Sequence, residues 1–249
     1  MRTDGHRIRL GRTLASSWGI FRKNFWRLAA LSGLAYVPSL FMPFFLHPGR
    51  GIISKGVDVA SAVGNMPPGR DFYLAMALSF TLSTVCFMAT AWLVEQSVLG
   101  RKVSLTRSLK IAAARLPAGL ATLLLAFLVL VGWSLLLVIP GLIWGLYYVF
   151  WAEAVALRGF SLMAALRYSK RLVKGRWWNL FWIFFVVCLL LGLLIMASTA
   201  LPMLLPRGKV LAQVANLALY IIGVSFFQVL RVHLFLTLEG QDAPGLVEP

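Results

Sequence analysis

The sequence predicts an all-α, polytopic integral membrane protein with six transmembrane helices, and three observations support this prediction. First, 60% of the 249 residues are hydrophobic and the mean hydropathy is +0.83, whereas soluble domains contain roughly 45 to 50% apolar residues. Second, several apolar runs approach or exceed the ~20 residues needed to cross a hydrocarbon layer about 30 Å thick. Third, lysine and arginine are concentrated in alternate connecting segments. We therefore expect a single membrane domain over residues 1–249.

Apolar runs separated by charged residues define the spans, and the third and fourth runs form one continuous tract. A single helix over 118–157 would be about 60 Å long at 1.5 Å per residue, which is twice the thickness of the hydrocarbon layer. We therefore divide the tract at Pro140-Gly141, a dipeptide that favours a turn, and predict a helical hairpin. The predicted spans are 28–46, 72–94, 118–139, 142–157, 180–201 and 210–238.

The distribution of basic residues predicts the orientation of these spans. Of the 24 lysines and arginines, 18 precede the first span or lie between spans two and three or four and five, and only 5 lie in the other connections. The side richer in basic residues is expected to be cytoplasmic by the positive-inside rule. Both termini, comprising segments 1–27 and 239–249, are therefore predicted in the cytoplasm. Segment 1–27 lacks the apolar stretch of a cleaved signal peptide.

The three basic segments on the predicted cytoplasmic side resemble one another. Aligning Ser17, Ser108 and Ser169 brings apolar residues into matching columns, and each segment leads directly into an odd-numbered span. The pair Phe25-Trp26 then corresponds to Trp177-Trp178. This pattern predicts three repeats, each consisting of an interfacial amphipathic helix followed by a transmembrane hairpin.

The basic segments also have the periodicity of amphipathic helices. In the third segment Leu162, Leu166 and Val173 oppose the cations, and in the first segment the apolar face is predicted to run through Leu14 and Trp18. Such helices lie at headgroup level with their cations towards anionic lipid, although a simple membrane anchor has the same pattern. The candidate residues for anionic-lipid binding are Arg22, Lys23, Arg167, Arg171, Lys174, Arg176, Trp177 and Trp178.

The tract from Pro140 to Trp178 resembles a known family. It contains Ile139-Pro140-Gly141, the aromatic-rich run 144–151, Glu153 and the basic segment 164–178, in that order. The order is similar to that of the bacterial YciC-like inner-membrane proteins and of the membrane domain fused to some glycerophosphodiester phosphodiesterases. The resemblance implies a multi-pass protein of the bacterial inner membrane and supplies no catalytic residues. The family's Leu-Arg and Glu-Gly elements are present here at a different spacing, as Leu230-Arg231 and Glu239-Gly240.

Three ionisable residues are predicted at membrane depth. Glu95 and Glu153 fall near the cytoplasmic ends of spans two and four, and Arg231 falls near the same end of span six. Because charges at this depth are costly, they are candidates for function. We predict an intramembrane ion pair between Arg231 and one of the two glutamates. A structural pair or snorkelling to the interface is the alternative to a transport or proton-relay role.

No motif indicates an enzyme, a metal site or a cofactor. The sequence contains no glycine-rich phosphate loop, nucleophile elbow or zinc motif, and its three histidines are widely separated. The basic residues that give the net charge of +16 lie between the apolar spans rather than in one cluster, so nucleic acid is not an expected partner. We expect a non-enzymatic membrane protein that binds anionic lipid headgroups, or a membrane-protein partner, in envelope homeostasis or assembly. The alternative is a small transporter or lipid-translocating protein.

Overall fold

The computed structural model describes residues 10–46, 70–101, 104–136, 138–204 and 209–242, and these residues form helices and connecting turns without a strand. The helices within the described ranges are α1 (Leu10–Lys23), α2 (Phe25–Leu46), α3 (Arg70–Val98), α4 (Leu105–Ala114), α5 (Leu116–Leu136), α6 (Val138–Tyr147), α7 (Trp151–Arg158), α8 (Leu162–Val173), α9 (Trp177–Leu204) and α10 (Lys209–Asp242).

Three helices are long and apolar enough to cross a bilayer, through their segments Tyr73–Val98, Trp177–Ala197 and Val214–Gln241. Two bent pairs would raise the number to five. These pairs are α4 with α5, bent by 64°, and Gly141–Arg158 with α8, bent by 117°. The described residues therefore form an all-helical protein with three to five candidate spans, compatible with a multi-pass membrane protein. The count of six stays a prediction, because in α2 the described apolar part is the shorter segment Phe25–Val37.

Pro140-Gly141, where the sequence predicts the turn between the third and fourth spans, lies inside helix α6 (Val138–Tyr147). A Cβ on Gly145 would lie 3.7 Å from the Leu130 side chain. Helices α5 and α6 are therefore close neighbours, and residue 137 between them lies outside the described residues.

The fourth predicted span, 142–157, is interrupted in the structure. Helix α6 ends at Tyr147, a turn covers 148–150, and α7 begins at Trp151. The hydroxyl of Ser169 on α8 donates to the Tyr147 carbonyl oxygen at 2.8 Å and accepts from the Phe150 N–H at 3.1 Å. A side chain of another helix thus binds backbone groups at the interruption, which explains how a buried break in the helix is tolerated.

Helix α7 lies at the centre of the bundle. Its residues 152–156 are all buried, and three of them are alanines. A helix that is buried on every side is typical of the interior of a bundle, and small residues let neighbouring backbones approach closely. Helix α7 packs against α3, α5 and α8, and its charged residues also contact side chains of α10.

The predicted apolar face of α1 is only partly buried by the bundle. Thr13, Ser17 and Phe21 are buried, whereas Trp18 is 51% exposed. The rings of Trp18 and Phe21 both lie 5.9 Å from the ring of Phe226 on α10. The small polar side chains occupy the closest contact with the bundle, and the large indole of Trp18 lies at its edge.

Candidate functional site

The innermost charged contact joins Glu153 on α7 to Arg231 on α10. Nη2 of Arg231 donates to the Glu153 carboxylate at 2.8 Å and to the carbonyl oxygen of Val149. The guanidinium carbon lies 4.5 Å from the centre of the Phe87 ring on α3. Glu153 is 0% exposed and Arg231 is 9% exposed. The two opposite charges therefore compensate each other inside the bundle, and the pair connects three helices.

A second charged contact surrounds Arg158, the last residue of α7. Its guanidinium donates to both carboxylate oxygens of Glu239 on α10, at 2.7 and 2.5 Å, and to Glu95 on α3 at 2.9 Å. The Tyr168 hydroxyl on α8 also donates to Glu239. Two parallel N–H···O contacts to one carboxylate form the fork geometry in which arginine binds most specifically. Helix α10 continues to Asp242, so Glu239, assigned to the tail from the sequence, is helical and buried.

The two contacts show that α3, α7 and α10 run in the same direction. Along each helix the member of the inner contact precedes the member of the outer one: Phe87 before Glu95, Glu153 before Arg158, and Arg231 before Glu239. The predicted ends of spans two, four and six therefore lie on one side of the bundle. Arg231 contacts Glu153, whereas Glu95 contacts Arg158. Sequence reasoning missed Arg158, which counted only as one of the basic residues after span four.

Arg115, between α4 and α5, binds the end of α7. Its Nη1 donates to the carbonyl oxygens of Val155 and Ala156, at 3.1 and 2.5 Å. Gly159 follows the helix with a φ of 72°, a left-handed conformation that favours glycine. A cation at the C-terminus of a helix is stabilised by the unpaired carbonyl groups there. From the sequence Arg115 was one more orientation signal, whereas in the structure it holds α7 in place.

Cations on α8 and at its C-terminal cap form an exposed basic surface, defined by Arg167, Lys170, Arg171 and Lys174. The opposite face of the helix is buried within the protein, through Ala165, Leu166, Ser169, Leu172 and Val173. The Lys170 ammonium lies 4.2 Å from the centre of the Trp144 ring, and Arg171 lies 5.1 Å from that of Tyr168. The protein itself therefore packs the buried face of α8, and two of the four exposed cations lie over aromatic rings.

The other candidate lipid-binding residues lie on α1, on α9 and just before α9. Trp178 at the start of α9 is 67% exposed, and Trp177 donates from its indole nitrogen to the Ile143 carbonyl oxygen at 3.4 Å. Arg176, just before α9, is partly buried. Arg22 and Lys23 are exposed in the last turn of α1. Arg176, Trp177 and Trp178 thus follow the basic surface of α8 directly in the sequence, whereas Arg22 and Lys23 lie on α1.

Metal ligation has no support in the part of the chain that the structure describes, where no group of three His, Cys, Asp or Glu side chains could hold an ion. The described fold defines the class of the protein as all-helical with several membrane-length helices. No protein-family model, curated protein or solved structure matches the chain. The resemblance to the YciC-like proteins therefore rests on the sequence tract alone and stays a prediction.

Proposed function

We propose that this protein is a non-enzymatic, six-span protein of the bacterial inner membrane that binds anionic lipid at its cytoplasmic face. The observation that carries the proposal is the basic surface of α8, where four cations are exposed and the opposite face is held in the protein core. The three glutamates whose side chains the structure describes all contact arginines of the bundle. These glutamates are therefore paired with arginines other than the cations of the basic surface. Anionic lipid headgroups are suitable counter-charges for those cations.

The repeat model is part of this proposal and draws support from the helix bounds. Three short helices, α1, α4 and α8, each precede a longer apolar helix, α2, α5 and α9. The serines aligned in the three segments, Ser17, Ser108 and Ser169, are each 0% exposed. Similar placement of one residue type before three long helices is what three copies of one unit would produce.

A packed amphipathic helix suits headgroup binding better than simple anchoring. An anchor inserts its apolar face into lipid, whereas the buried face of α8 is occupied by protein. Because the helix is held on the bundle, its cations need little ordering when a headgroup binds. Each basic residue near an anionic membrane surface contributes about 1 kcal/mol of attraction.

The test compares brominated phosphatidylglycerol with brominated phosphatidylcholine as quenchers of tryptophan fluorescence in reconstituted vesicles. We expect phosphatidylglycerol to quench more strongly at equal mole fraction, because Trp178 is exposed beside the basic surface. The double variant Arg171→Glu with Lys174→Glu is expected to lose the difference. The charge-matched control, Arg101→Glu with Lys110→Glu, changes two exposed residues outside the candidate set and is expected to keep it. Equal quenching of the unmodified protein by both lipids would contradict the proposal.

A transporter or lipid-translocating role is the second candidate. It is favoured by buried polar atoms without a hydrogen-bond partner near the inner ion pair: Oε1 of Glu153, Oε1 of Gln228 and Nδ1 of His233. Transporters use ionisable groups at membrane depth to move ions or substrates. Vesicles containing labelled lipids and small solutes test this role. Movement of any of them above protein-free controls would replace our first proposal, and we expect none.

A further inference from the structure

An apolar groove opens beside the basic surface of α8. Its volume is about 600 Å³, and its lining includes Leu130, Gly145, Leu146, Phe181, Phe185 and Cys188 from α5, α6 and α9. The volume lies within the roughly 300 to 1,000 Å³ typical of ligand pockets. Phe227 of α10 lies at the groove as well, so four helices contribute to its wall. The lining is almost entirely hydrocarbon and aromatic, which suits an apolar ligand.

The basic surface contacts the same helix that lines the groove. Lys170 lies over the ring of Trp144, next in sequence to the lining residue Gly145. The Trp177 indole binds the carbonyl of Ile143, which follows the lining residue Leu142. Phe181 comes one helical turn after Trp177, and Cys188 two turns further along α9. The groove therefore begins one turn after the tryptophans beside the cations and runs along α9 from Phe181 to Cys188, over a rise of about 10 Å.

We propose that this groove binds one acyl chain of an anionic phospholipid whose phosphate lies at Lys170 and Lys174. The inference rests on the proposed lipid-binding function and assigns it a defined site. Charge complementarity selects the ligand, because the exposed side chains of Lys170 on α8 and of Lys174, the residue that follows α8, are four residues apart and can both approach one phosphate. The acyl chain would contact the apolar lining of the groove, and the anionic headgroup beside it would contact the two lysines.

Filling the groove tests the site directly. Cys188 is exposed and lines the groove, so Cys188→Trp is expected to occupy it without disturbing the core. Gly145→Leu is a second filling variant, because a Cβ at Gly145 meets only an ordinary contact at 3.7 Å. Leu190→Trp is the matched control, since Leu190 lies on the same helix, is exposed and is not part of the lining.

Native mass spectrometry of the detergent-solubilised protein measures the retained lipid. We expect the unmodified protein and Leu190→Trp to retain one phosphatidylglycerol, and Cys188→Trp and Gly145→Leu to lose it. Equal retention by all four proteins would overturn the groove inference. The vesicle quenching measurement separates the two proposals, because a preference for phosphatidylglycerol that persists in Cys188→Trp leaves the wider function standing. If the unmodified protein itself showed no preference for phosphatidylglycerol, the proposed lipid-binding function would be contradicted, and the groove inference with it.

Thiol labelling gives a second measurement that needs no groove mutation. Cys86 is buried, so a maleimide added to the folded protein is expected to report on Cys188. We expect phosphatidylglycerol to slow the labelling several-fold more than phosphatidylcholine. Lys170→Gln is expected to remove this difference, and Lys110→Gln, which changes an exposed cation outside the basic surface, is expected to keep it. Equal slowing by both lipids would show non-specific surrounding lipid only and overturn the inference.

Discussion

At the scale of single residues, the charges inside the bundle are arranged as mutually compensating contacts. Glu153 and Arg231 are both buried, and each would be strongly destabilised without the other. The arginine has two further stabilising neighbours, the Val149 carbonyl and the Phe87 ring. Such an arrangement specifies which faces of α3, α7 and α10 meet. It makes a structural role the simplest explanation of these two ionisable residues.

We predict that the inner ion pair behaves as a structural pair. Arg231→Met should lower the free energy of unfolding by about 3 to 5 kcal/mol, because it leaves a buried carboxylate without a counter-charge. The double variant Glu153→Leu with Arg231→Met should regain most of this loss, since no charge then remains buried. Thermal unfolding in detergent, followed by tryptophan fluorescence, measures both effects. Arg22→Met, at an exposed position, serves as the control. A double variant no more stable than the single one would contradict a structural pair.

At the scale of elements, the short helix α7 depends on side chains from other helices at both of its ends. Ser169 of α8 binds the interruption before it, and Arg115 binds the carbonyl groups at its C-terminal end. Eight residues are too few for a stable isolated helix. The position of α7 therefore comes from its burial and from these contacts. The resulting placement orients Glu153 towards Arg231 and Arg158 towards Glu95 and Glu239.

The aligned serines provide a matched test of this dependence. Ser169→Ala should cost about 1 to 3 kcal/mol, because it removes the partner of the buried Phe150 N–H. Ser108→Ala should change stability by less than about 0.5 kcal/mol, since the Ser108 hydroxyl binds only carbonyl groups of its own helical turn, which accept backbone hydrogen bonds as well. Both serines are fully buried, so burial alone predicts no difference. Equal losses of unfolding free energy would show that the interruption does not depend on Ser169.

At the scale of the whole molecule, the parallel course of α3, α7 and α10 places three helix ends on one side. Sequence reasoning assigns that side to the cytoplasm, because the basic segments lie there. The charged contact around Arg158 connects the C-terminal ends of α3, α7 and α10 with one another and with α8. Lipid bound at α8 would therefore lie beside a helix that is joined to this contact through Tyr168.

The predicted orientation can be measured with single cysteines. In a Cys188→Ser background, Lys174→Cys and Lys110→Cys should react with a membrane-impermeant maleimide in inverted vesicles and not in intact cells. Lys55→Cys, in the first predicted external connection and outside the described residues, should show the opposite pattern. Lys110 on α4 and Lys174 in the turn after α8 are both exposed in the structure, which makes thiols at these positions accessible. Labelling of Lys55→Cys and Lys174→Cys from the same side would contradict the predicted topology.

The amino-acid sequence by itself determined the features that depend on composition and periodicity. Its apolar runs at 72–94, 180–201 and 210–238 lie inside α3, α9 and α10, because a membrane-length helix needs only a long apolar segment. The polar side of α8 was predictable in the same way, since its cations recur with the helical period. These signals are local and can be detected without knowledge of the fold.

Only the tertiary structure decided how those elements meet. The sequence could not distinguish Glu95 from Glu153 as the partner of Arg231, because both lie near equivalent span ends. The choice depends on which residues of neighbouring helices lie level with each other: Glu153 lies level with Arg231, whereas Glu95 lies level with Arg158 and Glu239. It also missed the interruption at 148–150, since an apolar run has no signal for a break that a serine nineteen residues away in sequence stabilises. Helix periodicity specifies which residues share a face, whereas contacts between distant residues specify what that face packs against. Long-range packing therefore decided the charged contacts, the position of α7 and the groove beside α8.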